Sequence, residues 1–538
     1  MTATRADVLV VGAGPAGLVA ALELTRFGVP VRVVDGKPGP TPQSRASLLH
    51  ARSLEVLDRL GVAEPALARG VPLSRVELRD RGAAGPSFQL GGRGVEGRTR
   101  FPCVLSLEQS ETERLLVDAL AERGVAVEWG TRLRHVLRSR ALVEVVLAHD
   151  DGDTETAAAT WLIGADGAGS TVRRALGIAF PGTTYVQTGL LADVRLDTDL
   201  PADRLRLSLG CGGFTGVQPL RDGRYRIFGA VSEGFGRPSD GAQVSHEAYA
   251  DVAGAELRRW FDENAQIDAR IVGVDWASLF RVHSRRAPAF QRGNAFLVGD
   301  AAHIHSPAGG QGMNLGIGDA ANLAWKIAAA DRNPASAQNL LDTYETERGR
   351  VADAVIRNTD RGFRFECSAN PVAIWVRKHV AVRMMRVLVH LALVRRGVFR
   401  LLSQTWISYR RNPAPPAGMD GQRLHVGDRA PDARLAAGGH LLASLREPGY
   451  RLFVFEGRRS AQTELDRLSA LGRRTAPLPA VVLRSSDVDA HRAYGVTHPS
   501  AVLVRPDGHV AGWCRSTRAE EIERFAMFLD RTMAQEAK

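Results

Sequence analysis

The sequence predicts an α/β protein with a discontinuous first domain, an inserted antiparallel layer and a separate C-terminal unit. Three observations carry this expectation. A strand–glycine turn–helix–strand unit opens the chain. Two strands far downstream run into similar Gly/Asp turns, and a Pro/Gly-rich stretch sets off the last quarter. A chain of 538 residues has room for about two to four domains.

In the opening unit "DVLVV" (7–11) is a continuous apolar run, "LVAALELTRFG" is helical up to Gly28, and "VRVVD" (31–35) is a second buried strand. "ATWLIGADGAGSTVRRALGI" (159–178) and "NAFLVGDAAH" (294–303) repeat the strand-into-turn pattern, so one sheet is expected from distant segments. Between them, "TGLLADVRL", "DRLRLSLG", "GRYRIFGAV" and "ARIVGVDWASLFRV" alternate as strands of a half-buried sheet do. Residues 340–410 read as helical throughout, and "RRNPAPPAGMDGQ" (410–422) reads as a linker. Beyond it come strand "RLFVFEG", helix "SAQTELDRLSAL", strand "AVVLR", strand "SAVLVRPDGHVAGW" and a closing helix from Arg518. The expected boundaries are 1–177 with 283–410 for the first domain, 178–282 for the insertion and 423–538 for the last unit. Residues 75–100 contribute to the inserted layer.

A net charge of +11 raises nucleic-acid binding, but only Lys37, Lys326, Lys378 and Lys538 are lysines. The arginines are scattered and mostly interleaved with acids, as in "RAEEIERF", and such Arg-for-Lys, Ala-rich usage reads as coding bias, so no nucleic-acid partner is expected. Cys103, Cys211, Cys367 and Cys514 stand far apart without zinc or C-x-x-C spacing and suit a reducing compartment. The start lacks the pattern of a signal peptide, and no apolar run reaches the ~18 residues of a membrane span. "VLVHLALV" (387–394) lies in a basic amphipathic stretch expected to pack on the protein. A cytoplasmic protein without stable membrane insertion is expected.

"VVGAGPAGL" places Gly12, Gly14, Pro15, Ala16 and Gly17 between strand and helix as G-x-G-x-x-G. Gly12 permits the tight turn, Gly14 lets backbone approach a pyrophosphate, and Gly17 lets helix and strand pack closely. Asp35 ends the next strand, 18 residues after Gly17, where an acid holds ribose hydroxyls. A dinucleotide is expected here; the fingerprint alone leaves NAD and FAD open.

"GADGAGSTVR" (164–173) and "FLVGDAAHIHSPAGGQGMNLGIGDAANLAWKIA" resemble the second and third motifs of the FAD-dependent aromatic hydroxylases. These are class A flavoprotein monooxygenases with the para-hydroxybenzoate hydroxylase fold, and the resemblance covers residues 5–410. It implies a Rossmann-type FAD-binding domain with an inserted antiparallel-sheet substrate domain. It further implies non-covalent FAD, with Asp300 bonded to the ribityl chain. The loop of Pro307, Gly309, Gly310, Gln311, Gly312, Met313 and Asn314 would wrap the isoalloxazine, with Pro307 beside its reacting edge. By the same resemblance Arg45 lies near flavin and pyrophosphate, Gln109 contacts the ribityl chain, and Asp166 is associated with FAD and nicotinamide. Arg45 and Pro307 are the implied catalytic positions.

Physical chemistry agrees with that assignment. A helix starting near Gly312 aims unpaired N–H groups and a positive dipole at the anionic reduced flavin, worth ~0.3–2 kcal/mol. No lysine is required. His303 and His305 form H-x-H without a third ligand at useful spacing, so no metal is expected.

The last unit resembles the thioredoxin-like domain of aromatic-polyketide hydroxylases, through "VGDRAPDARL" (426–435) and "VLVRPDGHVAGW" (502–513). After "RLFVFEG" comes "RRSAQ", with no cysteine pair, so the unit is expected to be redox-inert, to fold by itself and to serve structure or oligomerisation.

The resemblance thus implies an NAD(P)H-dependent FAD monooxygenase that hydroxylates a polycyclic aromatic polyketide, a phenol or quinone, through a flavin C4a-hydroperoxide. NADPH or NADH visits transiently, O₂ is co-substrate, and the protein is a monomer or homodimer. The substrate would lie between Pro307 and the inserted layer, with Phe214, Gln218, Tyr225 and Phe228 as candidate lining. An antibiotic-inactivating hydroxylase of the same fold and a non-catalytic FAD/polyketide-binding protein remain as alternatives. The Trp-x-Trp-x-Ile-Pro stretch of flavin-dependent halogenases is absent.

Overall fold

The computed structural model describes residues 4–41, 44–80, 83–89, 98–138, 142–209, 214–231, 235, 254–368, 391–410, 424–457, 462–474, 478–515 and 518–534, with isolated positions between 370 and 388. Its helices are α1 (Pro15–Arg26), α2 (Ala51–Arg59), α3 (Ala63–Arg69), α4 (Gln109–Ala121), α5 (Thr171–Ala175) and α6 (Gly254–Asn264). They continue with α7 (Gly312–Arg332), α8 (Pro334–Cys367), α9 (Ala392–Leu402), α10 (Gln462–Arg474), α11 (Val488–Tyr494) and α12 (Ala519–Ala534).

The first sheet has a parallel run of Ala295–Leu297, Thr154–Gly164, Thr4–Val11, Val31–Asp35 and Val127–Trp129, to which Gln291–Arg292, Val143–His149 and Thr131–Arg138 add antiparallel. Parallel strands need helical crossovers that cover their faces, which is why the opening strand is a Val/Leu run rather than an alternation. Val8, Leu9, Val10, Val33 and Val34 are buried accordingly.

The second sheet runs His303–Ile304, Arg270–Arg286, Gly182–Asp197, Arg224–Val231, Phe214–Pro219, Arg204–Leu209, Arg75–Asp80, Ala83–Gln89. Arg75–Asp80 joins it beside Arg204–Leu209, so a segment from the first hundred residues completes the inserted layer. At the opposite edge His303 and Ile304 pair with Arg286 and Arg285. The glycine loop therefore springs from the edge of the inserted sheet. Residues alternate faces along a strand. Tyr225, Ile227 and Val231 form a core with Leu257, Trp260 and Phe261 of α6, and Phe228 points to the other side.

The C-terminal sheet orders Ala480–Leu483, Arg451–Phe455, Ser500–Val504, Val510–Cys514. Three expectations need correcting. The stretch 500–513 is a hairpin rather than one strand, turning at Gly508 with φ +79°. Residues 403–410 are not helical: Gln404 sits at φ +58° and Ser408 bridges to Asp428. The unit also does not close its core alone, because Trp325 of α7 packs with Tyr450, Leu452, Leu468 and Phe525. The linker beyond Arg410, Cys211, most of 387–390 and Arg458–Ala461 lie outside the described residues.

Candidate active site

Each glycine of the opening turn meets a different constraint. Gly12 has φ +109°, and a Cβ there would stand 2.3 Å from the Ala165 carbonyl oxygen. At Gly17 it would stand 1.9 Å from the Gly12 carbonyl oxygen, so helix and turn could not close. Gly14 instead faces open space, the approach a pyrophosphate needs. It is also the N-cap of α1 and has no capping side chain. Asp35 buttresses the turn: Oδ2 accepts the Ala13 N–H at 2.6 Å and Oδ1 the Lys37 N–H at 2.8 Å.

Tertiary contact brings the distant motifs together. A Cβ at Gly316 would lie 3.2 Å from both Ala16 Cβ and Gly299 Cα, so the start of α1, the Asp300 turn and α7 meet at one point. Asp300 is solvent-accessible, yet sits in a recess walled by protein. Desolvation there raises its carboxyl pKa above the ordinary range; His303 and Arg45 pull against the rise and Asp319 adds to it. Arg45 is thus within electrostatic reach of Asp300 and exposed, as is Pro307.

The loop leading to α7 is held from outside. Gly309 and Gly310 adopt φ +75° and +61°. The Gly309 carbonyl accepts from His50 Nε2 at 3.1 Å. Nδ1 of His50 is then unprotonated and buried, and desolvation pushes the pKa down to about 4. Asn314 Oδ1 accepts the His50 N–H at 2.8 Å, and Nδ2 donates to Leu48 and Gly310 carbonyls. Gln311 Oε1 accepts from Gln404 at 2.6 Å. The side chains of Gln311 and Asn314 are thus engaged by protein, and what they can offer a cofactor is main chain. No side chain caps α7, whose first intrahelical N–H is that of Leu315.

Other expected residues divide. Gln109 donates its amide to Glu113 at 2.9 Å, leaving its oxygen available. Asp166 is spent on α5, accepting from Ser170 Oγ, Thr171 N–H and Val172 N–H. Met313 packs at the edge of the main core. Phe214 and Phe228 stand 6.1 Å apart and cluster with Val282, Phe280, Phe363, Tyr185 and Ala308 of the loop. Gln218 faces the first domain, but its amide is satisfied by Ser47 and Ser106. Tyr225 is a correction: it is buried under α6 on the far face of the sheet, because strand parity puts it opposite Phe228.

Sequence reasoning missed His50, Asp319, Arg348, Phe363 and Gln404. Asp319 had a signal, an acid one helical turn from Leu315 on one side and Leu323 on the other. The others are brought in by long-range packing.

These residues fit FAD: the starts of α1 and α7 have no capping side chain, they meet near Gly299 beside Asp300, and a Cβ at Gly14 would touch nothing within 4 Å. Comparison with known proteins agrees. The FAD binding domain model matches residues 5–359 and the aromatic-ring hydroxylase C-terminal model matches 424–535. The chain is 35% identical to 6-methylpretetramide 4-monooxygenase of Streptomyces rimosus, over 94% of this chain and 90% of that one. It is 32% identical to pentachlorophenol 4-monooxygenase of Sphingobium chlorophenolicum, over 94% and 93%. Among solved structures, OxyS anhydrotetracycline hydroxylase from Streptomyces rimosus superposes with TM-score 0.70 at 29% identity, over 95% and 96%.

Proposed function

This chain belongs to the FAD-dependent aromatic-ring hydroxylases, and on that premise we propose that it hydroxylates a polycyclic phenol or quinone of polyketide type. It is an FAD-dependent monooxygenase using O₂ and a reduced nicotinamide. One observation supports the substrate class: the Phe214, Phe228, Phe280 and Phe363 cluster packs against Ala308 of the flavin loop, with Phe228 and Phe280 only partly buried, which puts an aromatic wall beside the loop.

Bound FAD supplies electron transfer and oxygen activation. The protein's share is binding, orientation and exclusion of water. The start of α1 would hold the pyrophosphate, and the start of α7 would stabilise negative charge at the loop. Asp35, Asp300 and Gln109 would meet sugar and ribityl hydroxyls, and Arg45 supplies an exposed positive charge near Asp300. The aromatic cluster fixes the substrate ring against Pro307 and keeps water from the reacting carbon. The reading includes a diffusible small-molecule substrate and a cytoplasmic setting. Among the described residues no helix is long and apolar enough to cross a membrane.

Reduction is gated by substrate in this proposal. Shifting a reducible arrangement from ~1% to ~50% population needs about 2.7 kcal/mol of differential affinity. NAD(P)H oxidation is therefore expected to be slow alone and at least about tenfold faster with a suitable polycyclic phenol. Under ¹⁸O₂ the product gains one labelled oxygen. Fast, substrate-independent oxidation with unlabelled product overturns the proposal.

A further inference from the structure

The C-terminal unit grips the two helices that shape the flavin loop, and it does so through buried charge. Arg429 donates from Nε to Glu55 of α2 at 2.9 Å and from its terminal nitrogen to the second carboxylate oxygen. Both side chains are about 5% exposed. Glu55 also accepts from Arg52 at 3.0 Å and Thr99 at 2.7 Å. Burial alone would raise its pKa, but Arg429 and these partners hold it down at about 2. Arg52 in turn donates to the Asp507 carbonyl. Five residues back from Glu55, His50 precedes the first residue of α2 and holds the Gly309 carbonyl and Asn314.

A second path runs through α8. Arg505 makes a two-pronged contact with Glu347, at 2.6 and 3.0 Å, and Glu347 also accepts from Lys326 at 2.7 Å. The next residue, Arg348, donates to Asp319 at 2.6 Å and to the Tyr409 hydroxyl at 3.1 Å. Asp319 then receives the Gly299 N–H at 3.0 Å and lies 2.6 Å from His303 Nε2. Those two residues bracket the turn that carries Asp300.

We propose that the C-terminal unit is a buttress of the cofactor site, with Arg429 and Arg505 as positioning residues acting through α2 and α8. The inference rests on the flavin lying at the 307–314 loop. Buried ion pairs cost desolvation and seldom add net stability over apolar packing, whereas they do fix relative position.

The test uses full-length protein. Arg429→Met and Arg505→Met are compared with Leu468→Ala, which weakens the C-terminal core without removing either ion pair. FAD affinity of the apoprotein is read by fluorescence titration, and coupling by hydrogen peroxide formed per NAD(P)H oxidised. Both arginine variants should bind FAD at least about tenfold more weakly and leak more peroxide, and Glu55→Arg/Arg429→Glu should recover part of the affinity. The proposal is overturned if the arginine variants hold FAD within about twofold of the parent while Asp300→Ala loses it. It is equally overturned if Leu468→Ala, at matched loss of unfolding stability, weakens FAD as much. If Asp300→Ala itself holds FAD normally, the loop is not the flavin site and the buttress falls with that assignment.

Discussion

Asp319 and His303 meet at 2.6 Å in the core, both almost wholly buried, and the same carboxylate oxygen receives the Gly299 N–H. A carboxylate only accepts, so His303 Nε2 carries a proton. Asp319 thereby staples both ends of the Asp300 turn and at the same time neutralises Arg348. Its pKa shows the balance: burial would raise it, but Arg348 and His303 bring it below the ordinary value.

Asp319→Ala leaves Arg348 buried without its acid. A loss of about 3–5 kcal/mol in unfolding free energy is expected, with weakened FAD retention. Urea denaturation of the apoprotein measures the first and dialysis against excess buffer the second. A variant as stable as the parent removes Asp319 from this account.

Asp35→Ala removes a charged acceptor that also holds the Ala13 and Lys37 main chain. Roughly 1.5–3 kcal/mol is at stake, so FAD affinity is expected to fall at least about tenfold. The purified protein should be yellow, and acid precipitation should leave all flavin in the supernatant. Flavin retained in the pellet would reveal a covalent attachment.

His50 makes stability depend on pH. Its pKa is 6.5 when unfolded and about 4 when folded, because burial disfavours the charged ring. The unfolded chain therefore binds the extra proton between these values, and stability is full above pH 6.5 and lost as pH falls toward 4. The ceiling is on the order of 3 kcal/mol for this group. His305, also pushed down to about 4 by burial, acts in the same sense. Denaturation midpoints at pH 7.5 and 5.5 test this, and His50→Gln should reduce the difference, leaving the share of His305.

Phe214→Leu keeps the position apolar but removes the edge-to-face contacts with Phe228 and Phe363. If these rings hold the substrate, KM should rise up to about tenfold, or 1.4 kcal/mol, with FAD affinity unchanged. Unchanged KM with reduced stability would make Phe214 an ordinary core residue.

Cys514 is buried in the core of the C-terminal unit. Cys514→Ser should leave turnover unchanged at full FAD content. A large loss of turnover with flavin intact would restore a thiol role to this unit.

The amino-acid sequence by itself determined the elements that local rules govern. Gly12, Gly14, Gly17 and Asp35 announce a dinucleotide turn because its backbone geometry is short-range and excludes Cβ atoms. The 299–330 stretch announces a strand tip, a loop and a helix start for the same reason. Strand alternation marked the inserted sheet, but it did not say which face meets the flavin loop, so Phe214 and Tyr225 looked alike until pairing register put them on opposite sides. The tertiary structure alone decided what crosses the chain: His50 onto Gly309, Arg348 onto Asp319, and Arg429 onto Glu55, which is 374 residues away. Buried charges leave no periodic trace in a sequence. Their partners are chosen by desolvation, which exists only after the chain has folded around them.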